Sequence, residues 1–84
     1  MTAHDFTPKD EAFSAVLSAF VALMRAPRKS EEERRLGREF NRLCDEFFEA
    51  YPDASLADLA SGLVQLGVPY EQAFRDLTWA RGVS

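Results

Sequence analysis

Isoleucine is absent from this 84-residue chain, and the other β-branched residues are scarce, with five valines and three threonines. Such residues populate strands, so a β-sheet is excluded as the main architecture. Histidine occurs once, at His4, and cysteine once, at Cys44. A nucleophile needs a base, and the base needs a group to orient it. One histidine close to the start and one cysteine in a helical apolar pattern supply neither. A single cysteine also excludes an intramolecular disulfide and fits a reducing cytosol. Gly-rich phosphate loops, zinc-type Cys/His spacings and an HExxH pattern are all missing. Long apolar runs are missing too: the uncharged stretch Ala12–Met24 falls short of the roughly 20 residues that span a bilayer. The opening MTAHDFTPKDE has no basic segment ahead of an apolar run, so no signal peptide is expected. These absences predict a cytoplasmic chain with no catalytic role, no cofactor and no membrane segment. The small residue after Met1 leaves one metal reading: a processed Thr2-Ala3-His4 terminus carries the amine, amides and imidazole of a Cu(II) or Ni(II) site. A loose tail over residues 1–6 is the preferred reading, with no metal.

Alanine and leucine are abundant, at twelve and nine, and both favour helices. Eight arginines against two lysines hint at GC-rich bacterial coding. Four helical segments follow from cap and stop signals, in a single domain over residues 7–84. The first begins with Thr7 as N-cap, Pro8 at the first helical position and Asp10 reaching back, and Pro27 stops it after Arg25. Within it, AFSAVLSAFVALM carries Phe13, Val16, Leu17, Phe20, Leu23 and Met24 on one broad stripe. Ala12, Ala15, Ala19, Ala22 and Ala26 line a second stripe. A helix apolar over so much of its circumference is normally surrounded by protein. The fold expected is therefore all-α, a compact four-helix arrangement with this nearly all-apolar helix at its centre. A homodimer is also expected, because a small domain gains from covering such an arc.

Ser30-Glu31-Glu32-Glu33 opens the second helix as a capping box, and Pro52 closes it. Its apolar face is Leu36, Phe40, Leu43, Cys44, Phe47 and Tyr51, with Phe48 at the margin. Ser55-Leu56-Ala57-Asp58 repeats the cap pattern. The third helix then turns Leu56, Leu59, Ala60, Leu63 and Leu66 inward, and Gly62 within it signals a close crossing. Gly67 is placed to end that helix in the left-handed conformation, with Val68 closing the motif. Pro69 opens the fourth helix, which turns Tyr70, Ala73, Phe74, Leu77 and Ala80 inward and ends at Gly82. The short links favour sequential, roughly antiparallel packing.

The formal net charge is −4, which argues against general nucleic-acid binding. The charge is nonetheless polarised. Residues 25–42 hold seven basic and four acidic side chains, and residues 43–84 hold two basic and seven acidic. Arg34, Arg35, Arg38 and Arg42 share about one third of the second helix's circumference, opposite its apolar face. Pairs Glu31–Arg35, Arg35–Glu39 and Arg42–Glu46 would make this a solvated face. Read functionally, four guanidinium groups suit the carboxylates or phosphates of a partner protein. Trp79 fits the inward stripe of the last helix poorly and groups with Gln72 and Arg75, a second candidate for partner binding.

The segment from Leu63 to Leu77 has a helix–glycine turn–helix form. With Leu66-Gly67-Val68 at its turn it loosely resembles a ubiquitin-associated-type corner. It also loosely resembles a DNA-binding helix-turn-helix, which implies a transcriptional regulator as the alternative function. Glu71 and Asp76 flank Arg75 on the helix that would enter the groove, and they would repel phosphates. The function expected from the residues is a non-catalytic protein–protein interaction module, an adaptor, inhibitor or regulator, whose partner presents an acidic or anionic surface.

Overall fold

The computed structural model describes residues 8–83. Within them the chain forms four helices, α1 (Pro8–Arg25), α2 (Glu31–Ala50), α3 (Leu56–Val64) and α4 (Tyr70–Arg81), and no strand. The expected tail over residues 1–6, the Thr7 cap and His4 lie outside the described residues. None of the described helices is long and apolar enough to cross a membrane.

Local chemistry sets the helix ends. The Ser30 hydroxyl accepts a hydrogen bond from the Glu33 amide at 3.0 Å, satisfying one of the orphan donors of α2. At α3, Asp58 Oδ2 accepts from the Ser55 amide at 2.9 Å, one arm of the predicted capping box. Gly67 adopts φ +98°. The Val68 amide donates to the Leu63 carbonyl and the Gly67 amide to the Val64 carbonyl, which is the Schellman pattern that a left-handed glycine permits. Pro69 is the N-cap of α4, one position before its expected place.

α1 and α2 form an antiparallel hairpin. Phe13 meets Phe47 and Phe20 meets Phe40, at ring-centroid distances of 5.9 and 5.7 Å, so as α1 advances α2 retreats. α3 and α4 form the second hairpin and close over the first. The shared core is Val16, Phe20 and Leu23 of α1, Phe40, Cys44 and Phe47 of α2, Leu59, Ala60 and Leu63 of α3, and Ala73, Leu77 and Ala80 of α4. Cys44 is fully buried in it, the place its pattern predicted.

Four packing expectations change. On α2 the buried line is Glu33, Gly37, Phe40, Cys44 and Phe47, while Leu36 and Leu43 sit at its half-buried edge. Gly37 moves to the centre because Val83 lies against it: a Cβ there would stand 2.8 Å from Val83 Cβ. On α4, Ala73, Leu77 and Ala80 are buried but Tyr70 and Phe74 are exposed. The two alanines bring α4 close to its neighbours, and the rings of Tyr70 and Phe74 stack on each other outside, 6.1 Å apart. Leu66, expected inside, is 65% exposed, because α3 ends before it and the Schellman turn swings it out. On α1, Met24 is exposed, and of the alanine stripe only Ala26 is buried while Ala15 is exposed. The described helices do not surround α1.

Candidate interaction surface

Three features of the surface stand out: the arginine face of α2, the clasp around Trp79, and an open groove between α1 and α3.

Arg34, Arg35, Arg38 and Arg42 are all exposed on α2. Arg42 is engaged by two carboxylates. Its Nη2 donates to Glu39 Oε2 at 2.7 Å and its Nη1 to Glu46 Oε2 at 2.9 Å. The hydrogen bond and charge of Glu39, then those of Glu46, raise its pKa above the ordinary value. The other expected pairs, Glu31–Arg35 and Arg35–Glu39, do not form: Glu39 turns to Arg42 instead. Among the described residues Arg34, Arg35 and Arg38 have no ion-pair partner. Arg34 lies in the first turn of the helix, where its dipole favours anions over cations, and Arg35 and Arg38 lie beyond that turn in the same N-terminal half. The acids that the dipole does favour, Glu31–Glu33, precede them. Beyond Arg42 the face turns mixed, with Asp45, Glu46 and Glu49 around a shallow hollow shared with Asn41 and Arg81.

Trp79 is 40% exposed, and the Arg28 guanidinium covers its ring, 4.7 Å from the centroid. Arg28 does more than stack. Its Nη2 donates to the carbonyls of Leu23 and Ala26 at 2.8 Å each and of Met24 at 3.2 Å, at the end of α1, where carbonyls run short of intrahelical donors; that of Leu23 also accepts from the Ala26 amide. Its Nη1 lies 3.1 Å from Glu33 Oε2, a buried oxygen with no hydrogen-bond donor among the described residues, so the guanidinium meets it by charge. Glu33 Oε1 accepts from the Lys29 amide at 3.0 Å, holding Lys29 at φ +63°. Trp79 therefore belongs to a clasp that fixes the α1–α2 link. Gln72 and Arg75 are exposed on α4 without entering it. Among the described residues no hydrogen bond, ion pair or ring contact joins Trp79, Gln72 or Arg75 to the α2 arginines.

A second clasp holds the end of α4. Asn41 Nδ2 donates to the carbonyls of Gly37, Ala80 and Val83 at 2.8, 3.0 and 2.9 Å. Arg81 in turn donates to Asn41 Oδ1 at 2.6 Å and to Asp45 Oδ1 at 2.9 Å. Arg28 and Asn41 were not singled out from the sequence. A cation just past a Pro-stopped helix and an asparagine between Phe40 and Leu43 on an apolar helix were the signals available.

The groove between α1 and α3 encloses about 950 Å³. Phe13, Leu17, Val21, Ala22, Gly62 and Leu66 supply its apolar lining. Gly62 permits the approach: a Cβ there would stand 2.7 and 2.8 Å from Phe13 ring carbons and 3.0 Å from Leu17 Cδ1. The close crossing expected at Gly62 is thus made with the Phe13 ring. Lys9, Asp10 and Asp58 lie on the rim along with Arg25.

Burial pushes the Cys44 thiol up to about 11, against the smaller opposing effect of the Arg81 charge. That is the reverse of what a nucleophilic thiol requires. No protein-family model matches the chain, and neither does any curated protein or solved structure.

Proposed function

We propose that this chain is a non-catalytic protein-interaction module of the reducing cytosol, and that the N-terminal half of α2 docks an acidic surface of another protein. The observation that carries this reading is the set Arg34, Arg35 and Arg38. All three are exposed and unpaired among the described residues, close behind the first-turn acids Glu31, Glu32 and Glu33. Neighbouring Arg42 shows that a guanidinium on this helix finds carboxylates when they are placed for it. Guanidinium groups bind carboxylates in bidentate geometry, and a rigid helix presents three of them with little ordering cost on binding. The free thiol at Cys44 fits a reducing compartment.

The test is affinity capture from the native host with the wild-type chain and with an Arg34→Glu/Arg38→Glu variant, followed by mass spectrometry and titration calorimetry on the captured protein. The expected result is a partner with an acidic surface that the wild type holds, that salt weakens and that the variant loses while keeping its helical circular dichroism. A partner held equally by both chains refutes the reading. So does salt-sensitive binding of duplex DNA that survives in the variant, which would move the function to the α3–Gly67–α4 corner.

A further inference from the structure

The groove between α1 and α3 is independent of the arginine face, and its two ends carry opposite charge. At one end stand Asp10 in the first turn of α1 and Asp58 in the first turn of α3, with exposed Glu11 beside Asp10 on α1, outside the groove lining. Lys9 shares that end, with its ammonium 5.4 Å from the Tyr51 ring centroid. Tyr51 precedes the link into α3, which brings the starts of the two helices together. At the other end stands Arg25, in the last turn of α1, exposed and without an ion-pair partner among the described residues. Between the ends the exposed ridge of α1 is low. Ser14 and Ser18 are exposed and Ala22 is half-buried, each one helical turn from the next. Leu66, with Val64 the most exposed of the large apolar side chains of α3 and its turn, rises on the rim at the Arg25 end.

We infer that the occupant of this groove is a second copy of this chain, with the two α1 helices antiparallel and crossing at Ser18. The pairing is isologous, so one set of contacts occurs twice. Arg25 and Glu11 each lie seven residues from Ser18, about 10.5 Å along the axis. A two-fold axis there carries Arg25 of each copy to the acidic end of the other. Ser14 of one copy faces Ala22 of the other, and the small side chains let the helices approach closely enough for the apolar groove walls to meet. A parallel arrangement would set Arg25 against Arg25 and the acidic ends against each other. The charge pattern therefore selects the antiparallel one.

Sedimentation equilibrium on the full chain tests the association. The expected result is a dimer whose population rises with concentration. Its dissociation constant should increase about tenfold or more in an Arg25→Asp variant, and the Arg25→Asp/Asp58→Arg double variant should recover part of that loss. A monomer at every concentration up to about 500 µM, or an Arg25→Asp variant that dimerises as tightly as the parent, overturns the inference. Because Asp58 also caps α3, a second measurement covers geometry alone. With Ser18→Cys, mild oxidation should give a covalent dimer, since the two sulfurs would meet across the axis within disulfide reach. With Ser14→Cys the two cysteines would stand about 12 Å apart along the axis and should cross-link far more slowly. Equal rates, or no cross-linking at either position, overturn the antiparallel seat. Loss of partner binding by the α2 variants would leave these results unchanged.

Discussion

Replacing Gly62 by alanine sets two effects of similar size against each other. Alanine inside a helix is better than glycine by about 1 kcal/mol, so on propensity alone α3 should be stabilised. The new methyl, however, would stand 2.7 Å from Phe13 Cε2, 2.8 Å from its Cζ and 3.0 Å from Leu17 Cδ1. Those atoms are the far ends of side chains on the groove wall, so the ring can swing into open space without displacing backbone. In moving it gives up its pairing with Phe47, worth about 0.5–1.5 kcal/mol for an aromatic pair, and part of its burial. The net expectation is a Gly62→Ala variant about 0–1 kcal/mol less stable than the parent, from the difference of these terms. The sign should reverse when the ring atoms are removed. In a Phe13→Leu background, which lacks Cε2 and Cζ, Gly62→Ala should stabilise by up to about 1 kcal/mol. Urea denaturation of the four proteins, followed by circular dichroism, completes the double-mutant cycle. A Gly62→Ala change that stabilises both backgrounds equally would refute the seating of Phe13 on Gly62, and with it the shape of the groove.

Three further outcomes are expected. Arg28→Ala removes three hydrogen bonds to the end of α1 and the charge opposite buried Glu33, so it should cost about 1–3 kcal/mol and shift Trp79 emission to the red; an unchanged denaturation midpoint would refute the clasp. Asn41→Ala leaves the Val83 carbonyl without its side-chain donor and the Ala80 carbonyl with backbone donors alone, and should cost about 1–3 kcal/mol, with hydrogen exchange accelerated at the end of α4 and not in α1; uniform acceleration would contradict a local role. The Cys44 thiol is held neutral, with its pKa raised by burial from 9.0 to about 11, so its contribution is complete below about pH 9 and lost as the pH rises through about 11. Two units correspond to about 2–3 kcal/mol, and the stability of a Cys44→Ala variant should fall less over that range than the parent's; parallel curves would refute it.

Helix ends were legible in the sequence because the forces that set them act within a turn. Pro27 stops α1 wherever the helix packs, and the Ser30 hydroxyl needs only the Glu33 amide three residues on. Gly67 reaches φ +98° because it lacks a Cβ, whatever surrounds it. Period and composition likewise determined that the chain is helical and that Phe40, Cys44, Leu59 and Leu77 face inward. What covers each face depended on residues far apart in the chain. Tyr70 and Phe74 fit an inward stripe by spacing, but Ala73 and Ala80 draw α4 in along a neighbouring line and leave the rings outside. Gly37 is buried because Val83 arrives from the other end of the chain. Asn41 binds carbonyls about forty residues away, and Arg28 reaches Trp79 across the fold. The arginine stripe was visible as a periodicity, yet only side-chain geometry separated Arg42, spanned by two carboxylates, from Arg34, Arg35 and Arg38. Of the α1–α3 groove only Gly62 left a mark along the chain, as a glycine inside a helix, because the walls meet only when two hairpins close on one core. Local hydrogen bonding determines where helices begin and end, and the competition among apolar faces for one small core determines which of them remain open to a partner.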